Sequence, residues 1–206
     1  MTEPWLERWR TSKIGWHEPQ GNSRLQKYWV ASGKRVLVPL CGKTLDLIWL
    51  ESQGNEVVGV ELSDIGVKAF FEENELQYSI VEGALTAYVA ENHAITIYCG
   101  DYLEFTEAPF NAYYDRAALI ALPADMRGPY VEHTRSLLAA NAAQMVITLE
   151  YDESIATGPP FSVPADEVLS YWPDLERVDA HDDIENGPPK FHEAGLKEMI
   201  QVVWRS

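Results

Sequence analysis

The residues able to do chemistry in this 206-residue chain gather where apolar strands end. Arg35-Val36-Leu37-Val38 runs into Pro39-Leu40-Cys41-Gly42-Lys43-Thr44, Glu61 closes Glu56-Val57-Val58-Gly59-Val60, and Arg116 interrupts Tyr113-Tyr114-Asp115-Arg116-Ala117-Ala118-Leu119. A strand that turns tightly into a helix is where α/β folds hold nucleotide-like ligands. Gly42-Lys43-Thr44 would cradle a triphosphate only within GxxxxGK[ST], which needs a glycine at position 37, and that residue is Leu37. Too few free amides can then converge on the phosphates, which argues against a kinase or ATPase. Gly42 is the only glycine of the turn, so the GxGxxG approach to a pyrophosphate is missing as well, which disfavours a dinucleotide oxidoreductase.

Glu61 stands 19 residues beyond Gly42 (61 − 42). An acid about 20 residues past the first turn suits the two hydroxyls of a ribose, as a bidentate acceptor; the alternative is that it caps a neighbouring amide or is solvated. A nucleoside held without its pyrophosphate points to S-adenosylmethionine (SAM). Methyl transfer from a sulfonium is an in-line displacement that needs no metal, and orientation with removal of water can supply roughly 7–11 kcal/mol of barrier reduction. Arg116 lies in an otherwise apolar strand, where an unpaired charge is expensive. Its partner is either an acid such as Asp115 or the carboxylate of the cofactor or an anionic sulfur substrate. His17, beside Trp16, could take a thiol proton or be a hydrogen-bonded core or lid residue. Cys41 and Cys99 are too few for a disulfide framework or a zinc site with CxxC spacing and read as reduced packing residues. His181-Asp182-Asp183 reads as solvated surface before a metal site. No GxSxG elbow is present.

These residues need a scaffold, and the pattern of apolar segments supplies one. Segments rich in β-formers recur at 35–41, 56–62, 94–100, 110–122, 143–151, 175–182 and 197–205 with helical stretches between them, which predicts a mostly parallel sheet flanked by helices. Leu85-Thr86-Ala87-Tyr88-Val89 and Ile95-Thr96-Ile97-Tyr98 flank Glu91-Asn92-His93 as a hairpin that extends the third strand. Ser23 with Gln26 suggests a capping box for an N-terminal helix. Tyr130, Val131, Thr134, Leu137 and Leu138 form a core stripe with Asp125 placed to cap it. Gly158-Pro159-Pro160 and Gly187-Pro188-Pro189 mark loops, either over a site or as plain connectors.

The length suits one domain spanning 1–206, with no linker. With 32 acidic against 16 basic side chains, a net charge of −16 and a pI near 4.6, the chain repels polyphosphates, so nucleic acid is an unfavourable partner. The acidity reads as solubility in preference to an acidic docking face. No apolar run reaches the roughly 18 residues of a bilayer span, and Glu3, Trp5 and Glu7 do not form a basic-then-apolar leader, so a cytoplasmic protein off the membrane is expected. No apolar stripe is left over for a second copy, which points to a monomer.

Several blocks in order carry a family likeness: Trp5-Leu6-Glu7-Arg8-Trp9, Ile14-Gly15-Trp16-His17, Val38-Pro39-Leu40-Cys41-Gly42-Lys43-Thr44-Leu45-Asp46-Leu47, Gly59-Val60-Glu61-Leu62-Ser63, Cys99-Gly100-Asp101, Tyr114-Asp115-Arg116-Ala117-Ala118-Leu119-Ile120-Ala121-Leu122-Pro123 and Gly158-Pro159-Pro160-Phe161-Ser162-Val163. Through them the chain resembles the bacterial branch of the thiopurine S-methyltransferase family. The resemblance implies a Rossmann-like class I methyltransferase: a mostly parallel seven-stranded sheet with an antiparallel last strand, helices on both faces, and residues 1–31 as a helical lid. It implies SAM as cofactor, S-adenosylhomocysteine (SAH) as product, no metal, and methyl transfer to the sulfur of thiopurines or other aromatic or heterocyclic thiols. It assigns Trp5, Trp9, Leu40, Glu61, Asp101, Tyr102 and Arg116 to the cofactor, Trp16, Arg116 and Lys190 to the substrate, and positioning to Arg116 and Trp16, with no certain catalytic residue. The competing readings are a methyltransferase for small inorganic nucleophiles (selenium or tellurium oxyanions, thiocyanate, halide) and a SAM- or partner-binding domain without catalysis.

Overall fold

The computed structural model describes residues 3–206 and divides into two compact units. The first holds the chain through Tyr113 together with Leu137–Ala142, and the second holds Tyr114–Ser136 and Ala143–Ser206.

In the first unit, strands β1 (Arg35–Pro39), β2 (Glu56–Glu61), β3 (Tyr78–Val81), β4 (Thr86–Ala90), β5 (Ile95–Cys99) and the start of β6 (Phe110–Arg116) lie in the order β3-β4-β5-β2-β1-β6. The central pairs β1–β2, β2–β5 and β1–β6 are parallel, with Val38 opposite Gly59, Glu61 opposite Cys99 and Leu37 opposite Tyr113. Val36, Leu37, Val38, Val57 and Val58 are all buried, the continuous apolar run of strands covered on both faces. Helix α3 (Asp46–Ser52) joins β1 to β2 and α4 (Asp64–Glu73) follows β2. Val67, Phe70 and Phe71 form the buried face of α4, three and four residues apart, while Lys68 reaches back to Asp64 at 2.9 Å on its outside. The expected hairpin is present: β4 pairs antiparallel with β5, Val89 opposite Thr96. Two helices precede the sheet, α1 (Glu3–Arg10) and α2 (Ser23–Tyr28).

In the second unit, α5 (Ala124–Leu137, its last residue in the first unit) leads to β7 (Leu138–Glu150, its residues through Ala142 in the first unit), followed by α6 (Ala165–Tyr171), β8 (Glu176–Asp182), α7 (Pro189–Glu193) and β9 (Ile200–Arg205). β9 lies between β7 and β8 and runs against both, so the last strand is antiparallel as expected. Its Trp204 is buried and donates from Nε1 to Thr148 Oγ1 at 2.8 Å, which satisfies the one polar atom of the indole.

Four details differ from the sequence reading. Among the described residues there are nine strands where seven were expected: the hairpin arm β4 counts as a full strand, and β3, only four residues long, carries no alternation to betray it. It is held instead through Tyr78, whose ring packs against Phe71 (4.7 Å) and Tyr88 (5.4 Å). Asn22, not Ser23, caps α2, its side chain accepting from the amides of Arg24 and Leu25 at 3.0 Å. Asp125 sits inside the first turn of α5 and not ahead of it. The run 110–122 stops being a strand at Arg116, because Ala117 adopts φ +69° and the chain enters a 3-10 turn at Leu119–Ala121.

Candidate active site

The turn after β1 contains two left-handed residues, Leu40 (φ +46°) and Gly42 (φ +57°). Glycine adopts that conformation freely, whereas leucine does so at a cost of roughly 1–2 kcal/mol. Hydrogen bonds to β2 hold the turn. The Cys41 amide donates to the Val60 carbonyl at 3.0 Å, and the Gly42 amide donates to Oε2 of Glu61 at 2.9 Å. The other carboxylate oxygen of Glu61 accepts the Ser63 amide at 2.9 Å. Glu61 is 6% exposed. Burial pushes its carboxyl up from the ordinary carboxylate range, against the pull of hydrogen bonds from the Ser63 and Gly42 amides, the Trp9 side chain and the Leu62 amide. The amide-capping role weighed for Glu61 is thus real, and it ties the first turn to β2.

Above this carboxylate stands a cluster of indoles. α1 lays the Trp9 ring against Gly66 of α4, where a Cβ would come within 2.8 Å of it, and Trp9 also lines the space beside Gly42. Trp16 meets Trp9 edge-on at 5.8 Å between centroids and Trp5 at 5.4 Å, and Arg8 lies over the Trp5 ring at 5.0 Å. The structure therefore brings Trp5, Trp9, Trp16, Leu40 and Glu61 together. The backbone amide of His17 closes a turn onto Ile14 at 2.9 Å.

The Gly-Lys-Thr that mimics a phosphate loop is structural. Lys43 Nζ donates to both oxygens of Glu73 at 2.6 and 2.8 Å, tying the turn to the end of α4. Thr44 Oγ1 accepts the Asp46 amide at 3.2 Å, and the buried Asp46 accepts the Asn22 amide at 2.7 Å, which anchors the N-terminal segment beside the turn. Sequence reasoning missed Asp46 and Glu73; the short spacing from Thr44 to Asp46 at a helix start was the available signal for the first.

After β5, the Gly100 amide donates to the Glu61 backbone carbonyl at 2.9 Å, so Asp101 and Tyr102 emerge next to the end of β2. Asp101 accepts the Leu103 amide at 3.0 Å and opens a 3-10 turn in which Tyr102 is buried. Neither cysteine is poised as a nucleophile. Burial pushes the Cys41 thiol well above its ordinary value and the Cys99 thiol up to about 11.

Arg116 and Lys190 belong to the second unit. Asp115 is fully buried, its Oδ1 accepting the amides of Ala118 (3.2 Å) and Leu119 (3.1 Å) and its Oδ2 accepting the Tyr130 hydroxyl at 2.8 Å. Successive strand side chains point to opposite faces, so Arg116 is presented away from this buried carboxylate. Lys190 Nζ donates to the Thr157 carbonyl at 2.7 Å, fastening α7 to the Gly158-Pro159-Pro160 loop. The same loop is held by the Tyr151 hydroxyl on the Pro160 carbonyl (2.6 Å) and by the Phe161 amide on the Ile120 carbonyl (2.7 Å). Arg127, 3% exposed, pairs with Glu167 at 2.8 Å behind it.

In the first unit this donor set fits SAM. A carboxylate closing β2 suits a ribose diol, a glycine-permitted turn lets a ligand approach the backbone, and indole faces suit a sulfonium, an attraction of about 0.5–2 kcal/mol. A carboxylate offers about four acceptor directions; the Gly42 and Ser63 amides take two of them, and the Trp9 side chain stands close enough to favour the charge. The amides belong to the fold, so the remaining directions and the neighbouring Trp9 indole are where a ligand's hydroxyls can be met.

Comparison with known proteins agrees. The family model Thiopurine S-methyltransferase (TPMT) matches residues 1–206. The chain is 42% identical over 214 residues to the Thiopurine S-methyltransferase of Pseudomonas syringae pv. syringae (strain B728a), covering 98% of this chain and 96% of that one. It is 43% identical over 212 residues, with the same coverages, to that of Bordetella petrii (strain ATCC BAA-461 / DSM 12804 / CCUG 43448). Among solved structures it is similar to a SAM-dependent methyltransferase from Anabaena variabilis ATCC 29413 (TM-score 0.64, 14% identity, 99% of this chain and 94% of that one). It is also similar to Burkholderia thailandensis 1,6-didemethyltoxoflavin-N1-methyltransferase with bound 1,6-didemethyltoxoflavin and SAH (TM-score 0.63, 15% identity, 99% and 86%). At such identities these two structures speak to the fold, which is Rossmann-like and of class I. Residues 1–206 belong to the thiopurine S-methyltransferase family, and the chain is a SAM-dependent S-methyltransferase.

Proposed function

We propose that this enzyme methylates the sulfur of aromatic or heterocyclic thiols, thiopurines among them, and that Glu61 is the group that holds the cofactor. The observation carrying this reading is the buried Glu61 carboxylate, wired to the first turn through Gly42 and covered by Trp9. When bound, SAM supplies an electrophilic methyl group on a sulfonium. Glu61 accepts the two ribose hydroxyls in place of the Trp9 side chain. The backbone at Leu40 lies along the methionine part or ribose, Asp101 and Tyr102 flank the adenine, and Trp5 and Trp16 offer ring faces to the cation and to a flat acceptor. Arg116 orients a carboxylate or an anionic sulfur. Lys190 closes the Gly-Pro-Pro loop through the Thr157 carbonyl and is the basic group that would meet an acceptor there.

A thiolate near neutral pH is already a good nucleophile, so positioning and exclusion of water account for the rate, and neither a general base nor a metal enters the proposal. The net charge of −16 favours a neutral or singly charged acceptor over a polyanion and disfavours nucleic acid as substrate. We place the enzyme in the cytoplasm as a monomer; among the described residues no helix is long and apolar enough to cross a membrane. The test is transfer of labelled methyl from SAM to 6-mercaptopurine by the intact protein and by Glu61→Ala. Transfer abolished by the substitution supports the proposal. Absence of transfer in folded protein that still binds SAH would redirect it to small inorganic acceptors.

A further inference from the structure

Arg116 emerges from an unusual piece of backbone. Immediately after it, Ala117 holds φ +69°, a left-handed conformation that is unfavourable for an L-residue and that glycine normally occupies. Asp115 and Tyr130 offset that cost. The fully buried Asp115 carboxylate takes the Ala118 and Leu119 amides on one oxygen, which fixes the two peptides just beyond the left-handed residue. Its other oxygen takes the Tyr130 hydroxyl, and Tyr130, 3% exposed, is carried on α5 next to the buried Thr134, whose hydroxyl donates to the Tyr130 carbonyl at 2.9 Å. The turn is thereby bolted to a 14-residue helix, and the alternation of the strand turns Arg116 to the face opposite Asp115. A cap on a connecting turn needs only the amides. A third, buried partner on a separate helix also fixes the roll of the strand end, and with it the direction of the next side chain.

We propose that Asp115 and Tyr130 are positioning residues for methyl transfer: by locking the left-handed turn at Ala117 to α5 they set the direction in which Arg116 meets its anionic ligand group. This rests on the reading of Arg116 as a ligand contact given above, and the experiment separates the two. Tyr130→Phe removes one hydroxyl and keeps the ring, so it leaves the core packing in place; Asp115→Asn, which keeps one acceptor oxygen, serves as a second variant. Thermal unfolding of each variant verifies that it is folded at the assay temperature. Steady-state constants for SAM and 6-mercaptopurine are then measured for Tyr130→Phe, Arg116→Ala and the double variant.

The lock predicts that Tyr130→Phe lowers kcat/KM by about tenfold in the parent, on the same KM that Arg116→Ala raises, yet by less than about twofold once Arg116 is alanine. Additive losses would mean that the hydroxyl contributes only general stability, and would overturn the proposal. So would a damaging Arg116→Ala beside a harmless Tyr130→Phe, an outcome that leaves Arg116 as a ligand contact. An Arg116→Ala variant with unchanged constants removes that reading itself, and the lock loses its purpose with it.

Discussion

Two turns in this enzyme follow the ends of β1 and β6, both contain a non-glycine residue in the left-handed region, and both are held by a buried carboxylate. At the first, Leu40 and Gly42 are held by Glu61; at the second, Ala117 is held by Asp115. The difference lies in what else touches the carboxylate. Asp115 is fully buried and accepts two amides of its own turn and a tyrosine hydroxyl carried on a core helix. Glu61 accepts the Gly42 and Ser63 amides and is further stabilised by the Trp9 side chain, which comes from a short N-terminal helix and not from the strands and turns around it. A carboxylate taken up by the amides of its own turn and by a core helix serves as scaffold. One whose last partner can leave is available to a ligand.

The largest effect expected from this contrast is on binding. Glu61→Ala removes two charge-assisted hydrogen bonds to the ribose and should weaken SAH by about 2–4 kcal/mol, with a smaller loss of folding stability. Asp115→Ala should do the reverse, lowering unfolding free energy by about 3 kcal/mol because two amides and a hydroxyl are left buried without their acceptor. Calorimetric titration beside chemical denaturation of both variants checks the pair, and equal effects on stability would erase the distinction.

A second test uses pH. Burial raises the Glu61 carboxyl above its ordinary value of 4.5. The folded state then holds that proton more readily than the unfolded one, so Glu61 costs stability as pH rises from 4.5 through the raised folded value. The difference in unfolding free energy between Glu61→Gln and the parent should therefore grow in the variant's favour across that window and level off above it. A difference that shrinks as pH rises would contradict the assignment.

Smaller still is the backbone term. Ala117→Gly relieves a left-handed alanine and should gain about 1 kcal/mol or less, read as a rise of a few degrees in melting temperature. Lys190→Ala loses the exposed hydrogen bond to the Thr157 carbonyl and should leave kcat/KM within about threefold. A much larger loss would promote Lys190 from loop clasp to substrate contact.

The first turn was the more legible of the two. The spacing from Gly42 to Glu61 and the unbroken apolar runs of β1 and β2 follow from burial on both faces and could be read directly. The second was not, since Ala117-Ala118-Leu119 is apolar enough to continue a strand, and nothing in an alanine announces a positive φ. Asp115 was read as a possible ion-pair partner for Arg116; what the sequence did not reveal is that it also accepts two amides of its own turn and the hydroxyl of a tyrosine 15 residues away. That arrangement depends on where α5 packs, which no local pattern encodes. Lys43 shows the same limit: its spacing excluded a phosphate loop, but only the packing of α4 shows that Glu73 takes its charge. The short strand β3 was missed because aromatic contacts through Tyr78, and not alternation, hold it.

The most direct test of the central claim is to follow the indole N–H resonances of the protein while SAH is titrated, with Trp9→Phe to assign the signal of Trp9. If Glu61 exchanges Trp9 for the ribose, the Trp9 resonance shifts as the site saturates, and Glu61→Ala already shows the shifted position without ligand. A Trp9 resonance that stays in place at saturation would contradict the account, because the ribose would then have bound without claiming the Glu61 carboxylate.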